Sequence, residues 1–310
     1  MKKPAGLAKR AATTVLGRPR VGAAVRGMAA LGGRSMTLVY HRVGAPQPSG
    51  LTPTVALEDF RLHLQTLQAL GEIVPLSRLL LERRSPTPRF ALTFDDDHPC
   101  HVEVVLPTLR EQGLPATFFL SGRSLHGLGS YWFQSLEHLL HGRGVAAVAD
   151  LLDLAPTDAG EIAGICEADL GLQAKLEAAD DRNEPSLSET QIAALVAAGM
   201  EIGFHTLHHR PLTALGGDDL DRALSEGRGT LAEAAGRPIR LFAYPHGKAD
   251  ARVAERVRYH GYEGAWTGVP SPVTRRADRY RLGRWEPGPI EPSDLTTKIT
   301  GRMARLRMPR

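Results

Sequence analysis

The sequence predicts an α/β fold built on a mostly parallel sheet, either open or closed into a barrel. Short runs rich in β-branched and aromatic residues alternate along the chain with longer stretches of helical periodicity. Strands separated by helix-length connections pair in parallel, and ligands gather at the carboxyl ends of such strands. The length of 310 residues suits one large domain with extensions.

Seven runs carry the strand pattern, each of them short and bounded by turn residues or by polar side chains. They are SMTLVYHRV (35–43), RFALTF (89–94), ATFFLSG (116–122), MEIGFH (200–205), IRLFAYP (239–245), YEGAWTG (262–268) and RYRLGRW (279–285).

Three stretches between these runs predict helices. ALEDFRLHLQTLQALG (56–71) repeats apolar residues every three or four positions, and HVEVVLPTLREQG (101–113) ends at a glycine. SETQIAALVAAG (188–199) opens with a capping signal at Ser188. The longest interval without a strand is rich in Ala, Leu and Glu, and we interpret residues 131–198 as a helical insertion within the domain.

Charge divides the chain into three parts. Residues 1–34 carry eight Lys/Arg and no acid, and residues 298–310 carry five Lys/Arg and no acid, whereas the body between them is acidic. We therefore expect a basic extension (1–34), a folded domain (35–290) and a basic tail (291–310). Basic ends on an acidic body argue against a nucleic-acid-binding protein, because such proteins concentrate charge on a folded face.

The basic N-terminus bears on location. Arginines interrupt each of its apolar runs, so no clear signal peptide is predicted, and no stretch reaches the length of a transmembrane helix. Two cysteines without paired spacing fit a reducing compartment. We expect a cytoplasmic protein whose N-terminus either touches anionic lipid as an amphipathic helix or is a solvated leader.

Ionisable side chains follow two of the predicted strands directly. Asp95 and Asp96 come after RFALTF, and His205 and His209 come after MEIGF. Neighbouring carboxylates repel one another and are costly to bury without a cation or donors. One carboxylate with two imidazoles suits Zn²⁺ with open positions, or Fe²⁺ as a facial triad. Taken singly, the aspartates could be a helix cap and the histidines surface residues, but together they favour a metal.

The same residues carry a family resemblance. TFDDD (93–97), HTLHH (205–209) and FAYPHG (242–247) resemble, in that order, the leading motifs of the polysaccharide deacetylase family, the NodB-homology domain of carbohydrate esterase family 4. The resemblance implies a deformed (β/α) barrel that removes N-acetyl or O-acetyl groups from an amino sugar or polysaccharide. It implies a divalent metal, Zn²⁺ first with Fe, Co and Ni as alternatives, and an N-acetylated carbohydrate as the partner.

The resemblance also assigns roles. Asp95 would be the catalytic base and Asp96 a metal ligand, with His205 and His209 as the other two ligands. The base would accept the proton of the attacking water. The turn after FAY would supply the backbone N–H of His246 as a donor to the oxyanion.

The sequence departs from the family pattern in three places. Asp97 stands where a Gly is usual, Ala243 replaces the usual Arg, and no His follows His260 to serve as the late catalytic acid. His41, which ends the first predicted strand, is the candidate general acid, because relatives with an early Tyr-His motif use that His at the active site. A histidine that only binds strand-end backbone is the alternative.

Further residues are assigned more broadly. Arg284 or Arg240 would take over the orienting role of the absent Arg. Tyr244 and Trp132 are candidates for binding the sugar, although a core position suits Trp132 equally well. A second pair of histidines, His98 and His101, is expected to be a cap and a helix-surface residue rather than extra ligands.

Two rival functions remain open. A catalytically impaired, carbohydrate-binding barrel is consistent with the absent Arg and late His. A non-haem iron oxygenase would share two imidazoles and one carboxylate, but that class normally uses a β-rich double-sheet fold, and helices between strands count against it.

Overall fold

Seven parallel strands form one curled sheet in the computed structural model, which describes residues 34–45, 51–82, 85–155, 158–180, 186–288 and 290–304. The predicted N-terminal extension, apart from its last residue, lies outside these ranges. Six of the strands follow the spatial order β1-β5-β6-β7-β8-β9, and β4 pairs with the start of β5. A separate two-stranded ribbon joins β2 and β3.

The strands are short, as the sequence predicts for a parallel sheet buried on both faces. They are β1 (Ser35–Tyr40), β2 (Arg42–Val43), β3 (Thr54–Val55), β4 (Glu72–Ile73), β5 (Arg89–Asp95), β6 (Thr117–Leu120), β7 (Glu201–Phe204), β8 (Leu241–Ala243) and β9 (Gly264–Trp266). The predicted first strand is therefore split at His41, after β1.

Helices cover the outer face of the sheet and extend from its rim. They are α1 (Leu57–Leu70), α2 (Leu76–Leu81), α3 (Leu106–Gln112), α4 (Trp132–Leu151), α5 (Ala159–Ala168), α6 (Leu170–Ala179), α7 (Glu189–Ala197), α8 (Gly217–Ser225), α9 (Arg228–Ala234), α10 (Ala251–Tyr259) and α11 (Pro292–Ala304). A π-helical turn, His101–Val105, precedes α3, so the predicted helix over 101–113 is not one regular α-helix. No described helix is long and apolar enough to cross a membrane.

Strand alternation decides which side chains reach the interior of the curl. Along β5, Phe90, Leu92 and Phe94 join the main core beneath the helices, whereas Ala91 joins a smaller inner cluster. Successive side chains of a strand point to opposite faces. Asp95 has the same parity as Ala91, and this places its carboxylate inside the curl.

The segment after β9 closes the gap between the two edges of the sheet. Leu282 bridges to Trp266 of β9, and Trp285 bridges to Leu38 of β1. The Trp285 N–H donates to the carbonyl of Thr37 at 2.9 Å, and the Val39 N–H donates to the carbonyl of Trp285 at 3.0 Å. A continuous strand over 279–285 is therefore wrong, but this segment completes the deformed barrel that the family resemblance implies.

The inserted helices form a satellite unit with its own apolar cluster. Helices α4, α5 and α6 share this cluster, which includes Leu136, Ile162, Cys166 and Leu176. Helix α4 bends at Gly144, whose φ is 82°. The predicted interval of 131–198 also contains α7, but α7 packs on the main core and is capped by Ser188 as predicted. The satellite unit consequently ends with α6.

The predicted basic tail contains the last helix. Leu295, Ile299 and Met303 of α11 are fully buried in the main core, and α11 contacts α1. Spacing of four residues places these three side chains on one face. Residues 291–304 are therefore part of the folded barrel, and 305–310 lie outside the described residues.

Candidate active site

The carboxyl ends of three central strands and of the edge strand β1 bring the candidate residues to one rim. Asp95 is the last residue of β5, His205 follows β7, His246 lies in the turn after β8, and His41 follows β1. Parallel strands end on the same side of a sheet, and this is where α/β barrels place their active sites.

Unusual backbone conformations are concentrated at this rim. Among described residues other than glycine, five have positive φ: Asp96 at 69°, Thr206 at 66°, His209 at 49°, His246 at 56°, and Asp153. Such conformations cost of order 1–3 kcal/mol each and persist where the surrounding structure enforces them. Four of the five lie at the rim, so the surrounding structure there holds the backbone in conformations that cost free energy.

Asp96, His205 and His209 converge on one point. Oδ1 of Asp96 lies 3.7 Å from Nε2 of His205 and 3.8 Å from Nε2 of His209. A turn, and not a helix, brings the two histidines together. In this turn the His209 N–H donates to Oγ1 of Thr206 at 3.1 Å. One ligand atom from each of the three residues lies within 4.8 Å of the others.

The donor set fits a divalent metal ion. His205 donates from Nδ1 to the carbonyl of Ala243 at 2.9 Å, which leaves the Nε2 lone pair facing Asp96. Within the described part of the chain, the buried Oδ1 of Asp96 has no hydrogen-bond partner. An unsatisfied buried carboxylate oxygen costs free energy unless a cation or donor meets it. Two imidazoles and one carboxylate with open positions are typical of catalytic zinc.

The protonation states suit such an ion. Burial lowers the pKa of His209 well below its usual value, so its imidazole is neutral and able to ligate. Burial would raise the pKa of Asp96, but the interaction with His98, whose Nε2 lies 3.7 Å from Oδ2, holds it well below the usual range. The site therefore offers one carboxylate and a neutral imidazole near neutral pH.

Arg284 holds the carboxylate of Asp95 from inside the barrel. Its Nη1 donates to Oδ1 at 2.5 Å and its Nη2 donates to Oδ2 at 2.6 Å. Burial would raise the pKa of Asp95, but the charge and the hydrogen bonds of Arg284 lower it. Arg240, the other candidate, pairs with Glu263 at the surface instead. Of the two candidates, Arg284 is thus the one that contacts Asp95, and it does so from a distant segment of the chain.

Glu286 is the partner of His41. Nδ1 of His41 donates to Oε1 of Glu286 at 2.9 Å, and the backbone carbonyl of His41 accepts from Nε2 of His101 at 2.9 Å. Burial lowers the pKa of His41, but the hydrogen bond and charge of Glu286, with the charges of Asp96 and Asp95, raise it to about 9. His41 is therefore an imidazolium at neutral pH.

Sequence reasoning missed Glu286. A signal was available, because residues two apart in an extended segment point to the same side, and Arg284 had already been singled out.

Asp97 is a structural residue. Its buried carboxylate accepts from the backbone N–H groups of Ser121 at 2.8 Å, Gly122 at 3.1 Å and Arg123 at 3.3 Å, and from the Ser121 hydroxyl. These donors belong to the turn that follows β6. Asp97 therefore fixes the turn from which the inserted helices leave the barrel.

His98 and His101 are buried, and Cys100 rather than His98 caps the π-helical turn, so the prediction of a cap and a surface position is wrong for both. Nε2 of His98 lies 3.7 Å from Oδ2 of Asp96. Gln134 of α4 accepts from the Tyr131 N–H at 2.9 Å and lies 3.1 Å from Nδ1 of His98. Because the amide oxygen of Gln134 is occupied, its NH₂ group faces Nδ1, and the proton of a neutral His98 is on Nε2, toward Asp96.

We expect His98→Leu to weaken metal binding by about 10- to 100-fold, the usual effect of removing a group that orients a ligand. Gln134→Leu should act in the same direction with a smaller effect. Zn²⁺ affinity measured by chelator competition checks both. His141→Leu, at an exposed position of α4, is the matched control, and an unchanged affinity in His98→Leu would contradict this role.

A pocket opens beside the convergent residues. It has a volume of about 370 Å³ and is lined by His41, Leu51, Thr52, Pro53, Asp96, Trp132, Phe133, Gly160, Ala163, Gly164, Glu167 and His246. Trp132 and His246, predicted to bind substrate, therefore line this pocket. Tyr244 does not, because its side chain is fully buried and its hydroxyl donates to the carbonyl of Tyr280 at 2.7 Å. Its place in the core argues against the predicted substrate contact.

Comparisons with known proteins agree with this architecture. The family model for polysaccharide deacetylase matches residues 82–265, more than half of the chain. A search of curated proteins found no significant match.

Solved structures show the same fold at low sequence identity. The Streptococcus pyogenes deacetylase PplD in complex with acetate is 16% identical, with a TM-score of 0.61, over 87% of this chain and 98% of that one. IcaB from Ammonifex degensii is 20% identical, with a TM-score of 0.60, over 87% and 97%. A de-N-acetylase from Aggregatibacter actinomycetemcomitans is 16% identical, with a TM-score of 0.53, over 81% and 94%. From the family match and the barrel together, the chain belongs to the polysaccharide deacetylase family, hydrolases that act on the amide bonds of acetylated polysaccharides.

Proposed function

We propose that this protein is a metal-dependent hydrolase that removes N-acetyl or O-acetyl groups from an amino sugar or a polysaccharide. The observation that carries the proposal is the convergence of Asp96, His205 and His209 beside a pocket that Asp96 and His41 line, with Oδ2 of Asp95 3.8 Å from Nε2 of His205. Zn²⁺ is the first candidate, because the donors are two imidazoles and one carboxylate, with Fe, Co and Ni as alternatives.

The chain supplies the proton transfers of amide hydrolysis. A divalent ion held by Asp96, His205 and His209 would lower the pKa of water and polarise the acetyl carbonyl. Asp95, kept ionised and oriented by Arg284, accepts the proton of the attacking water. His41, held by Glu286, donates a proton to the leaving amine. The backbone N–H of His246 is the candidate donor to the oxyanion.

Specific observations weigh against the rival functions. The catalytically impaired barrel was suggested by an absent Arg and an absent late His, but Arg284 contacts Asp95 and His41 lines the pocket. The oxygenase class uses a β-rich double-sheet fold, whereas this chain is a parallel barrel surrounded by helices. The complement of groups needed for hydrolysis therefore supports an active enzyme.

Acetate release is the decisive experiment. Purified protein is stripped with a chelator, reloaded with Zn²⁺, and incubated with N-acetylated and O-acetylated saccharides while acetate is quantified. We expect release only from the reloaded protein. Sugar binding without acetate would indicate the impaired barrel, and a requirement for Fe²⁺ and O₂ would indicate the oxygenase.

His41→Gln is expected to retain the fold and metal but to lower turnover on an N-acetyl sugar by on the order of 10²-fold, as for loss of a general acid. An acetate ester with a good leaving group, which needs little protonation, should be affected much less. Rates on both substrates check this, and equal losses on both, or none, would assign His41 to structure.

The pH profile tests the same pair independently. Activity needs protonated His41, so wild-type turnover should fall as pH rises through about 9, the raised pKa of His41. Glu286→Gln removes a charge that raises this pKa, and the basic limb should therefore move to lower pH. A limb that stays in place in Glu286→Gln would show that His41 does not control it.

A further inference from the structure

The end of the barrel opposite the candidate active site carries a cluster of exposed arginines. The segment 275–281, RRADRYR, contains four arginines and one aspartate, and all four arginine side chains are exposed. This segment runs past the N-terminal ends of the strands. Just before it, the Val273 N–H donates to the carbonyl of Ser35 in β1 at 2.7 Å, and within it the carbonyl of Arg279 accepts from the Ala265 N–H of β9 at 2.8 Å. We call the surface formed by 275–281 and the C-terminal ends of α2 and α10 the basal face.

The two most exposed large apolar side chains of the described ranges lie on the basal face. Leu81, the last residue of α2, is 79% exposed, and Tyr259, the last residue of α10, is 73% exposed. The carbonyl of Glu82, next to Leu81, accepts from Nη1 of Arg89 at the start of β5 at 2.9 Å, and Tyr259 comes shortly before β9. Arginines beside an exposed leucine and tyrosine are typical of surfaces that enter the boundary between lipid headgroups and acyl chains.

Acidic side chains on this face do not cancel its charge. Oδ2 of Asp278 accepts from Nε of Arg281 at 3.0 Å, and Oε2 of Glu82 lies 3.0 Å from Nη2 of Arg89. Four arginines against one aspartate leave the segment 275–281 with a net charge of +3. The basal face therefore combines surplus positive charge with exposed apolar side chains.

Both ends of the described chain meet at the basal face. Arg34 precedes β1, and its Nη1 donates to the carbonyl of Met303 near the end of α11. Residues 1–33 carry seven Lys/Arg and residues 305–310 carry three, with no acid in either stretch. These two basic stretches are therefore joined to the barrel on the side that already carries the exposed arginines.

We propose that the basal face docks on an anionic lipid surface, with its arginines at the headgroups and Leu81 and Tyr259 at the acyl boundary. Anionic headgroups attract clustered Lys and Arg, and apolar side chains add affinity that a purely charged partner does not reward. The rim with Asp96 and His41 lies at the opposite ends of the same strands, so the candidate active site faces away from the lipid. This inference does not depend on the proposed deacetylase function.

Vesicle binding tests the proposal directly. The full chain is co-sedimented with vesicles of phosphatidylcholine alone and of phosphatidylcholine with phosphatidylglycerol at a molar ratio of about 2:1, which carry the negative surface that attracts basic segments. We expect binding to the anionic vesicles only, and we expect it to weaken as salt is raised, because salt screens exposed charges. No binding, or equal binding to both vesicles, would overturn the proposal.

A charge variant separates the folded face from the basic stretches outside the described residues. Arg276→Gln combined with Arg279→Gln should weaken binding to the anionic vesicles by about 25-fold, at about fivefold for each basic residue near such a surface. Arg222→Gln combined with Arg252→Gln is the matched control, because both arginines are exposed and lie on α8 and at the start of α10, away from the basal face. Unchanged binding in the basal variant would overturn the assignment of the folded face.

An apolar variant distinguishes a lipid surface from a charged polymer. Leu81→Ser should weaken vesicle binding by about 10-fold, the lower end for burying a leucine, whereas Leu170→Ser, at an exposed position of α6, should have no effect. If Leu81→Ser bound vesicles as wild type does, and a DNA duplex bound wild type as tightly as the anionic vesicles, the partner would be a polyanion and the lipid assignment would be wrong. Acetate release from a soluble saccharide should be unchanged in every variant, so these outcomes do not bear on the proposed hydrolase function.

Discussion

His205→Ala is expected to lose bound metal and acetate release together. Two remaining ligands hold a catalytic ion poorly, so metal affinity should fall by more than about 100-fold and turnover by roughly 10³-fold or more. The variant also removes the Nε2 that lies 3.7 Å from Oδ1 of Asp96. Metal content by mass spectrometry and acetate release, measured on the same preparation, check the expectation, and His209→Ala should behave alike.

His208→Ala is the matched control for this prediction. His208 lies between the two proposed ligands in sequence, but it is exposed, and its Nε2 lies 3.6 Å from Glu226 at the surface. The control should keep full metal content and activity. Stoichiometric metal in folded His205→Ala would remove His205 from the ligand set.

The strands and site residues that the sequence predicts correctly are marked by local patterns in the sequence. Asp95, Asp96, His205 and His209 stand directly after runs that read as buried strands, and parallel strands must end at one rim. Sequence order and strand parity alone thus assemble the centre of the site. The convergence of His205 and His209 needed only a turn, and this is how the structure brings them together.

The supporting contacts could not be predicted as well, because they depend on distant segments. Arg284 contacts Asp95 across 189 residues of sequence, and Glu286 contacts His41 across 245. Arg284 was one of two candidates and Glu286 was missed, since neither lies in a local motif. The sequence predicts a cap position for His98, and its burial follows from the inserted α4 packing over it.

Asp95→Asn is expected to keep the metal and lose turnover by about 10²- to 10⁴-fold, the range attributed to general acid–base catalysis. An amide fills the same space without accepting a proton. It also leaves the buried guanidinium of Arg284 without its carboxylate, and breaking a buried ion pair costs about 3–5 kcal/mol. Metal content, turnover and thermal unfolding therefore need to be measured together.

A second substitution separates catalysis from stability. Asp95→Asn combined with Arg284→Gln removes the unpaired charge, so the double variant should regain part of the lost stability while turnover stays low. Asp96→Asn should do the opposite of Asp95→Asn and empty the metal site, because Asp96 supplies the oxygen between His205 and His209. If Asp95→Asn instead emptied the site while Asp96→Asn kept it full, the roles of the two aspartates would have to be exchanged. If the double variant regained turnover along with stability, Asp95 would be a structural partner of Arg284 and the base would have to be sought elsewhere.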